Sequence, residues 1–288
     1  MHGSGEASQP VTRFAPSPTG WLHLGHVANA LWTWGIARKL SAPVLLRMED
    51  HDRSRCRPEY EQQIFSDLAW LGFVPDPESA SSLRAGPSPY RQSDSLPVYD
   101  AALGRLAKQG LVYGCTCSRS TIAKELGDGF TEGRELTYPG LCRDKGIEPG
   151  PGVGVRIRLP ETVEHFIDLR LSEQAQRPSQ QCGDLLARDR NGNWTYQFAV
   201  TIDDLRHGVT LVVRGEDLLS STGRQLALAR LLGRDEMPRF LHHPIIRNDA
   251  GEKLSKRERA LGLREMRDRG MSPEEIVAQA ALLSGWED

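Results

Sequence analysis

Two histidines stand three residues apart in RFAPSPTGWLHLGH, residues 13–26, just where an apolar helical pattern begins. Pro16 and Pro18 fix two backbone torsions and withdraw two N–H donors, which defines the turn. Gly20 and Gly25 permit tight turning or close approach of the backbone to a ligand. The start of a helix presents unpaired N–H groups and the positive end of a dipole, an anion site. His23 and His26 are placed to donate hydrogen bonds to phosphate oxygens there, so the chemistry expected is triphosphate binding. A strand–turn–helix junction with solvent-facing histidines would show the same spacing. Metal binding by this pair lacks a third ligand nearby.

Two further groups carry chemistry. KLSKR, residues 253–257, flanks Ser255 with Lys253 and Lys256 after a glycine-containing turn, a composition suited to clamping negative charge. Alone it is no more than a basic run of the kind most surfaces carry. Cys115, Cys117 and Cys142 form the third group. Thiols in a Cys-x-Cys arrangement suit a metal better than a strained disulfide, and three thiolates nearly complete a tetrahedral zinc site. The fourth ligand is left open among His, Cys, Asp and water. Three small buried hydrophobic residues would give the same pattern. Cys56 and Cys182 stand apart and are read as incidental.

The elements that must position these residues alternate. VTRFA (11–15) reads as a strand, and Val27, Ala30, Leu31 and Trp34 give a helical stripe from His26 to Leu40. Val44 to Leu46 is an apolar run typical of a strand buried on both faces. Pro58 opens a helix striped by Ile64, Leu68 and Leu71, and Gly72 ends it. Strand, helix, strand, helix predicts an α/β fold, a Rossmann-type doubly wound parallel sheet. Residues 74–97, rich in Pro, Ser and Gly, read as a boundary. A helix closed by Gly110 follows, then the cysteines. VGVRIRL (153–159) reads as a strand with one buried and one wet face. Asn191-Gly192 sits between two strand-like runs, a hairpin signal. The crossover pattern returns with a strand at 209–213, a helix opening near Ser221 or Thr222, and a last strand at HHPII, and NDAG reads as a turn. Asp203 and Asp204 are read as structural, able to cap a helix. The expected organisation is a flexible tail (1–10), the first half of a nucleotide-binding domain (11–93), an inserted α+β zinc-bearing domain (94–190), the second half (191–250), and the KLSKR loop with a short helical end (251–288).

APSPTGWLHLGH near the start and KLSKR near the end together resemble the class I aminoacyl-tRNA synthetases, in their glutamyl/glutaminyl branch. LLRMEDHDRSR, YRQSD, VTIDD and VVRGEDLLSST follow in the expected order between them, so the resemblance spans residues 11–260. It implies ATP, with Mg²⁺ arriving on the nucleotide, held by His23, Gly25, His26, Lys253, Ser255 and Lys256. It implies that Lys256, with His23 and His26, neutralises charge in the transition state of adenylation, and that L-glutamate is held by Arg13, Phe14, Ala15, Pro16, Ser17, Glu49, Tyr196 and Arg214. The chemistry agrees: Glu49 suits an ammonium at a strand end, two arginines suit a carboxylate, and Tyr196 supplies a hydroxyl. The resemblance also makes Tyr138 the fourth zinc ligand, although the Cys117–Tyr138 spacing is longer than expected. Val200 and Leu218 stand where glutamyl-tRNA synthetases usually carry Asn and often Trp.

The chain stops soon after Lys256, where a glutamyl-tRNA synthetase continues into an anticodon-reading region. With the cysteine–tyrosine group and Val200, this resembles the glutamyl-Q tRNA(Asp) synthetase family. The partner so implied is tRNA(Asp) carrying queuosine, whose cyclopentene cis-diol resembles the ribose diol that synthetases acylate. A shortened glutamyl-tRNA synthetase and a non-catalytic tRNA-binding paralogue are the competing readings.

The bulk composition bounds these expectations. The chain has 288 residues, 39% hydrophobic and 26% charged, with a net charge of −2. A nucleic-acid partner is therefore held by a local basic patch. Residues 252–269, with seven Lys/Arg against four Asp/Glu, are the candidate. No membrane and no DNA are expected as partners. An odd count of five cysteines with no signal-like leader points to a cytoplasmic protein.

Overall fold

The computed structural model describes residues 9–127, 136–247 and 262–287. In chain order, the first stretch gives β1 (Thr12–Phe14), α1 (Leu24–Lys39), β2 (Val44–Leu46), α2 (Pro58–Trp70) and α3 (Pro77–Ala85). Next come α4 (Leu96–Lys108), β3 (Val112–Cys115), α5 (Arg119–Leu126), β4 (Gly154–Ile157), β5 (Glu164–Asp168) and β6 (Ser172–Gln176). The chain closes with α6 (Pro178–Gln181), β7 (Leu185–Arg188), α7 (Tyr196–Arg206), β8 (Leu211–Gly215), α8 (Thr222–Leu231), β9 (Arg239–His243), α9 (Leu263–Asp268) and α10 (Pro273–Ser284). They form two compact units. The first comprises residues 1–94, 208–217 and 238–288, and the second 95–207 and 218–237.

In the first unit β1 and β2 pair in parallel, with α1 as the crossover between them. β8 and β9 are a second parallel pair. Thr210 and Leu211 donate backbone N–H bonds to the Val11 carbonyl, which brings β8 beside β1. Phe14, Val27, Leu46, Ile64, Leu68 and Leu263 belong to one buried core. α10 begins with a capping box between Ser272 and Glu275 and packs on α1. Trp286 fits against Gly35, where an added Cβ would lie 2.2 Å from the indole. Gly35 thus lets the end of the chain lie flat on α1.

The second unit is α+β. β4 is the middle strand of an antiparallel sheet, β3-β4-β7. β5 and β6 form an antiparallel hairpin. α4, α7 and α8 share a core through Tyr99, Leu106, Phe198, Ile202 and Leu228.

Several expectations are corrected. β4 is buried at all four positions, so the anticipated wet face does not exist there: Arg156 turns inward and donates to Cys115 Sγ and the Asp184 carbonyl. The run after Asn191-Gly192 makes a single bridge, Arg188 to Trp194, and then becomes α7. Asp203 and Asp204 lie inside that helix and do not cap it; Asp203 accepts from the Tyr99 hydroxyl at 2.9 Å and from Arg206. Residues 77–85 are helical, because Asp76 caps Ser79 N–H and Pro77 occupies the first turn. The last strand ends at His243 instead of running through HHPII, since Pro244 follows with no N–H to give. Residues 191–207 and 218–237, assigned above to the nucleotide-binding half, fall in the second unit because α7 and α8 pack on each other and on α4 or β7.

Candidate functional site

His23 is the N-cap of α1, and two reciprocal bonds set the histidine pair. His23 Nδ1 accepts from Gly25 N–H at 3.1 Å, and His26 Nδ1 accepts from His23 N–H at 3.1 Å. The rings lie 3.9 Å apart between centroids. An accepting Nδ1 carries no proton, so each ring is neutral with its proton on Nε2. Burial lowers the pKa of both histidines. His26, which also feels the charge of its neighbour, is pushed down to about 3. Gly25 has a steric role: a Cβ there would sit 2.9 Å from His23 Cε1. Gly20 has open space around it, so no such demand explains it. The result is a helix start with two neutral Nε2–H donors beside its backbone N–H groups, an arrangement suited to an anion.

Residues 14–18 run alongside the segment that leaves β2. Arg47 N–H donates to Phe14 O, Glu49 N–H to Pro16 O, and Arg57 N–H to Pro18 O, at 3.0–3.1 Å. This backbone pairing fixes Phe14, Ala15, Pro16 and Ser17 against Glu49. Phe14 and Pro16 are buried, Ala15 is half-buried and Ser17 is exposed. Glu49 is 6% exposed and pairs with Arg47, itself fully buried, at 2.9 Å. Asp50 accepts from Ser93 through both carboxylate oxygens.

Arg13 on β1 and Arg214 on β8 are both buried. Arg13 Nη1 donates to the Val213 carbonyl at 3.2 Å, and Arg214 Nε donates to His242 Nε2 at 3.1 Å. Bonds of this kind orient a guanidinium. Arg13, Glu49, Arg214, His23 and His26 thus all belong to the first unit. Tyr196, half-buried, opens α7 in the second. Lys253, Ser255 and Lys256, like the NDAG turn from Asn248 on, lie outside the described residues.

Sequence reasoning missed Arg47 and His242. A signal existed for Arg47: a charge two residues before Glu49, next to an apolar run, has to find a partner in the same buried layer. At the described end of the basic segment 252–269, Arg264 and Arg269 are exposed. Leu263 and Met266 of α9 are core residues, and Arg267 pairs with buried Asp67 at 3.0 Å.

In the second unit the Sγ atoms of Cys115, Cys117 and Cys142 lie within 4.8 Å of one another. Zinc–sulfur bonds of about 2.3 Å place thiolates about 3.8 Å apart, so the donor set fits a tetrahedral cation. Tyr138 Oη is 3.5 Å from Cys115 Sγ and accepts from Cys142 N–H at 2.7 Å. Burial pushes the Tyr138 phenol up, and Cys115 adds to that. Burial also pushes up Cys142, but the Thr116 N–H and the Cys117 and Tyr138 groups outweigh it and bring the thiol down to about 7. Arg156 donates Nε to Cys115 Sγ at 3.3 Å and stacks 3.5 Å over the Tyr138 ring. The three thiols with the phenol are the residues that would hold a metal.

The sequence profile of the tRNA synthetases class I (E and Q) catalytic domain matches residues 9–288. The chain belongs to that family. It is 42% identical to the glutamyl-Q tRNA(Asp) synthetase of Rhodobacter capsulatus, over 92% of this chain and 98% of that protein. It is 36% identical to the glutamate–tRNA ligase of Frankia casuarinae, over 95% of this chain and 55% of that one. The solved glutamate tRNA ligase of Elizabethkingia meningosepticum superposes with a TM-score of 0.68 and 27% identity, covering 92% of this chain and 54% of that chain. The chain thus spans about half the length of the glutamate–tRNA ligases it matches, and its fold is the class I catalytic fold. As a member of a synthetase family it is a ligase. Among the described residues no helix is long and apolar enough to cross a membrane.

Proposed function

We propose that this protein activates glutamate with ATP, without needing tRNA, and transfers the glutamyl group to queuosine at the wobble position of tRNA(Asp). The observation that carries the reading is the relationship to the glutamyl-Q tRNA(Asp) synthetases, closer in identity than that to the glutamate–tRNA ligases and covering almost the whole of the Rhodobacter relative.

Adenylation is in-line attack of the glutamate carboxylate on the α-phosphorus of ATP, with pyrophosphate leaving. The enzyme supplies no nucleophile; it positions two anions and neutralises developing charge. In this reading His23 and His26 donate from Nε2 to phosphate oxygens, and Lys256, with Lys253 and Ser255, clamps the leaving side. Mg²⁺ arriving on the nucleotide would offset phosphate charge. Arg13 and Arg214 grip the substrate carboxylate, Tyr196 orients it, and Glu49, aimed by Arg47, accepts the ammonium. Cys115, Cys117 and Cys142 with Tyr138 would hold one structural zinc ion.

The test supplies labelled glutamate, ATP, Mg²⁺ and tRNA(Asp) with or without queuosine. Label is expected only on the modified tRNA, in a bond cleaved by mild base. Label on the 3′ adenosine would overturn the choice of acceptor in favour of a shortened glutamyl-tRNA synthetase. No label on either tRNA would favour a non-catalytic paralogue.

A further inference from the structure

The second unit contains a cavity of about 410 Å³, with Cys115 and Cys117 of the sulfur cluster in one part of its wall. That volume lies within the range of small-ligand pockets, about 300–1,000 Å³. Its walls are mixed. Ile122, Leu136 and Leu186 provide apolar surface, and Thr195 and Gln197 provide hydroxyl and amide groups. Its charges are unequal. Asp184 is taken by two bonds from Arg143, and Asp189 by the N–H groups of Asn191 and Asn193 in its own turn. Arg156, deep in the wall, is engaged with Cys115 and the Asp184 carbonyl. Arg119, in the first turn of α5, and Arg190, in the turn after β7, also line the cavity and are exposed. Neither makes an ion pair or hydrogen bond among the described residues. Arg143, Arg158 and Arg188 in the same unit all do.

An apolar, hydrogen-bonding recess with two uncommitted guanidinium groups matches one ligand chemistry well. A nucleotide has a flat apolar face, polar edges and a phosphate, and guanidinium planes both stack on bases and bind phosphate. Resting on the function proposed above, we infer that this cavity receives an unstacked nucleotide of the tRNA's single-stranded loop, with Arg119 and Arg190 at its phosphates. A free nucleotide has the same chemistry, and the test separates the two sources.

The double variant Arg119→Ala/Arg190→Ala is compared with Arg105→Ala/Lys108→Ala, which removes the same charge from α4 away from the cavity. For the first, KM for queuosine-bearing tRNA(Asp) is expected to rise about tenfold. The slope of log affinity against log salt is expected to fall by roughly 0.7 for each lost single-strand contact. Adenylate formation without tRNA, and its KM for ATP, stay as in the wild type. Leu186→Trp, which fills the recess and leaves charge alone, raises the KM for tRNA with the salt slope unchanged. An equal effect of the α4 control, or an unchanged KM for tRNA in the arginine variant, overturns the inference. So does a raised KM for ATP alone, which would assign the cavity to a free nucleotide. If the wild type does not glutamylate the tRNA at all, the functional reading itself fails; if it does so and the variants match it, only this inference fails.

Discussion

Arginines do different work in the two units. In the first, Arg13 donates to a carbonyl and Arg214 to an imidazole nitrogen, contacts that aim each guanidinium. In the second, Arg143 meets a carboxylate through two bonds, and Arg156 meets a sulfur and an aromatic face. The first pattern suits the capture of an anionic substrate, and the second holds a scaffold together. Burial and residue type alone do not separate these roles. Substitution and its effect on adenylate formation separate them.

The largest effect that could break this contrast is at Arg214. Arg214→Lys keeps the charge but loses the planar fork and the bond to His242, and adenylate formation is expected to fall on the order of 10²–10³-fold. Retention of near-wild-type activity would place Arg214 with the scaffold arginines. Next is Cys115→Ser. Metal content measured by atomic absorption should drop, with a stability loss on the order of 4 kcal/mol in denaturant unfolding. Unchanged metal content would remove the sulfur cluster as a metal site. Arg143→Ala takes the cation from the buried Asp184 carboxylate and leaves it the Tyr113 hydroxyl and the Leu159 N–H as donors. The Arg143 side chain is 37% exposed, so solvent screening reduces the cost to about 1–2 kcal/mol, with adenylate formation unchanged.

A further effect concerns pH. The folded chain holds His26 near a pKa of 3 against about 6.5 unfolded, so between those values the unfolded state binds more protons. The contribution is complete above pH 6.5 and is lost as pH falls towards 3. Thermal melts across that window should show His26→Asn with a shallower acid-side loss than the wild type. Parallel curves would mean that the imidazole is not held neutral.

The sequence makes some of this legible and hides the rest for physical reasons. β2 falls on Val44–Leu46 as expected, and α2 opens at Pro58, because an apolar run and a proline at a first helical turn are local signals. α1 begins two residues earlier than the apolar stripe suggests, since His23 itself is the cap. The β5–β6 hairpin went unread: β6, Ser172–Gln176, has no buried residue and so no apolar alternation to detect. α7 was hidden by a sequence, WTYQFAVTI, rich in residues that strands favour, which become helical where they pack against α4 and α8. The histidine pair and the cysteine cluster were visible as types and spacings. Their geometry was not, because the bonds that make each histidine neutral and the guanidinium over Tyr138 depend on backbone turns and on residues far apart in the chain.

The most direct test of the central claim is isotope exchange between pyrophosphate and ATP, with glutamate and Mg²⁺ present and tRNA absent. Exchange that requires glutamate and disappears in Lys256→Ala is the predicted result. No exchange until tRNA is added, or none under either condition, would contradict the account.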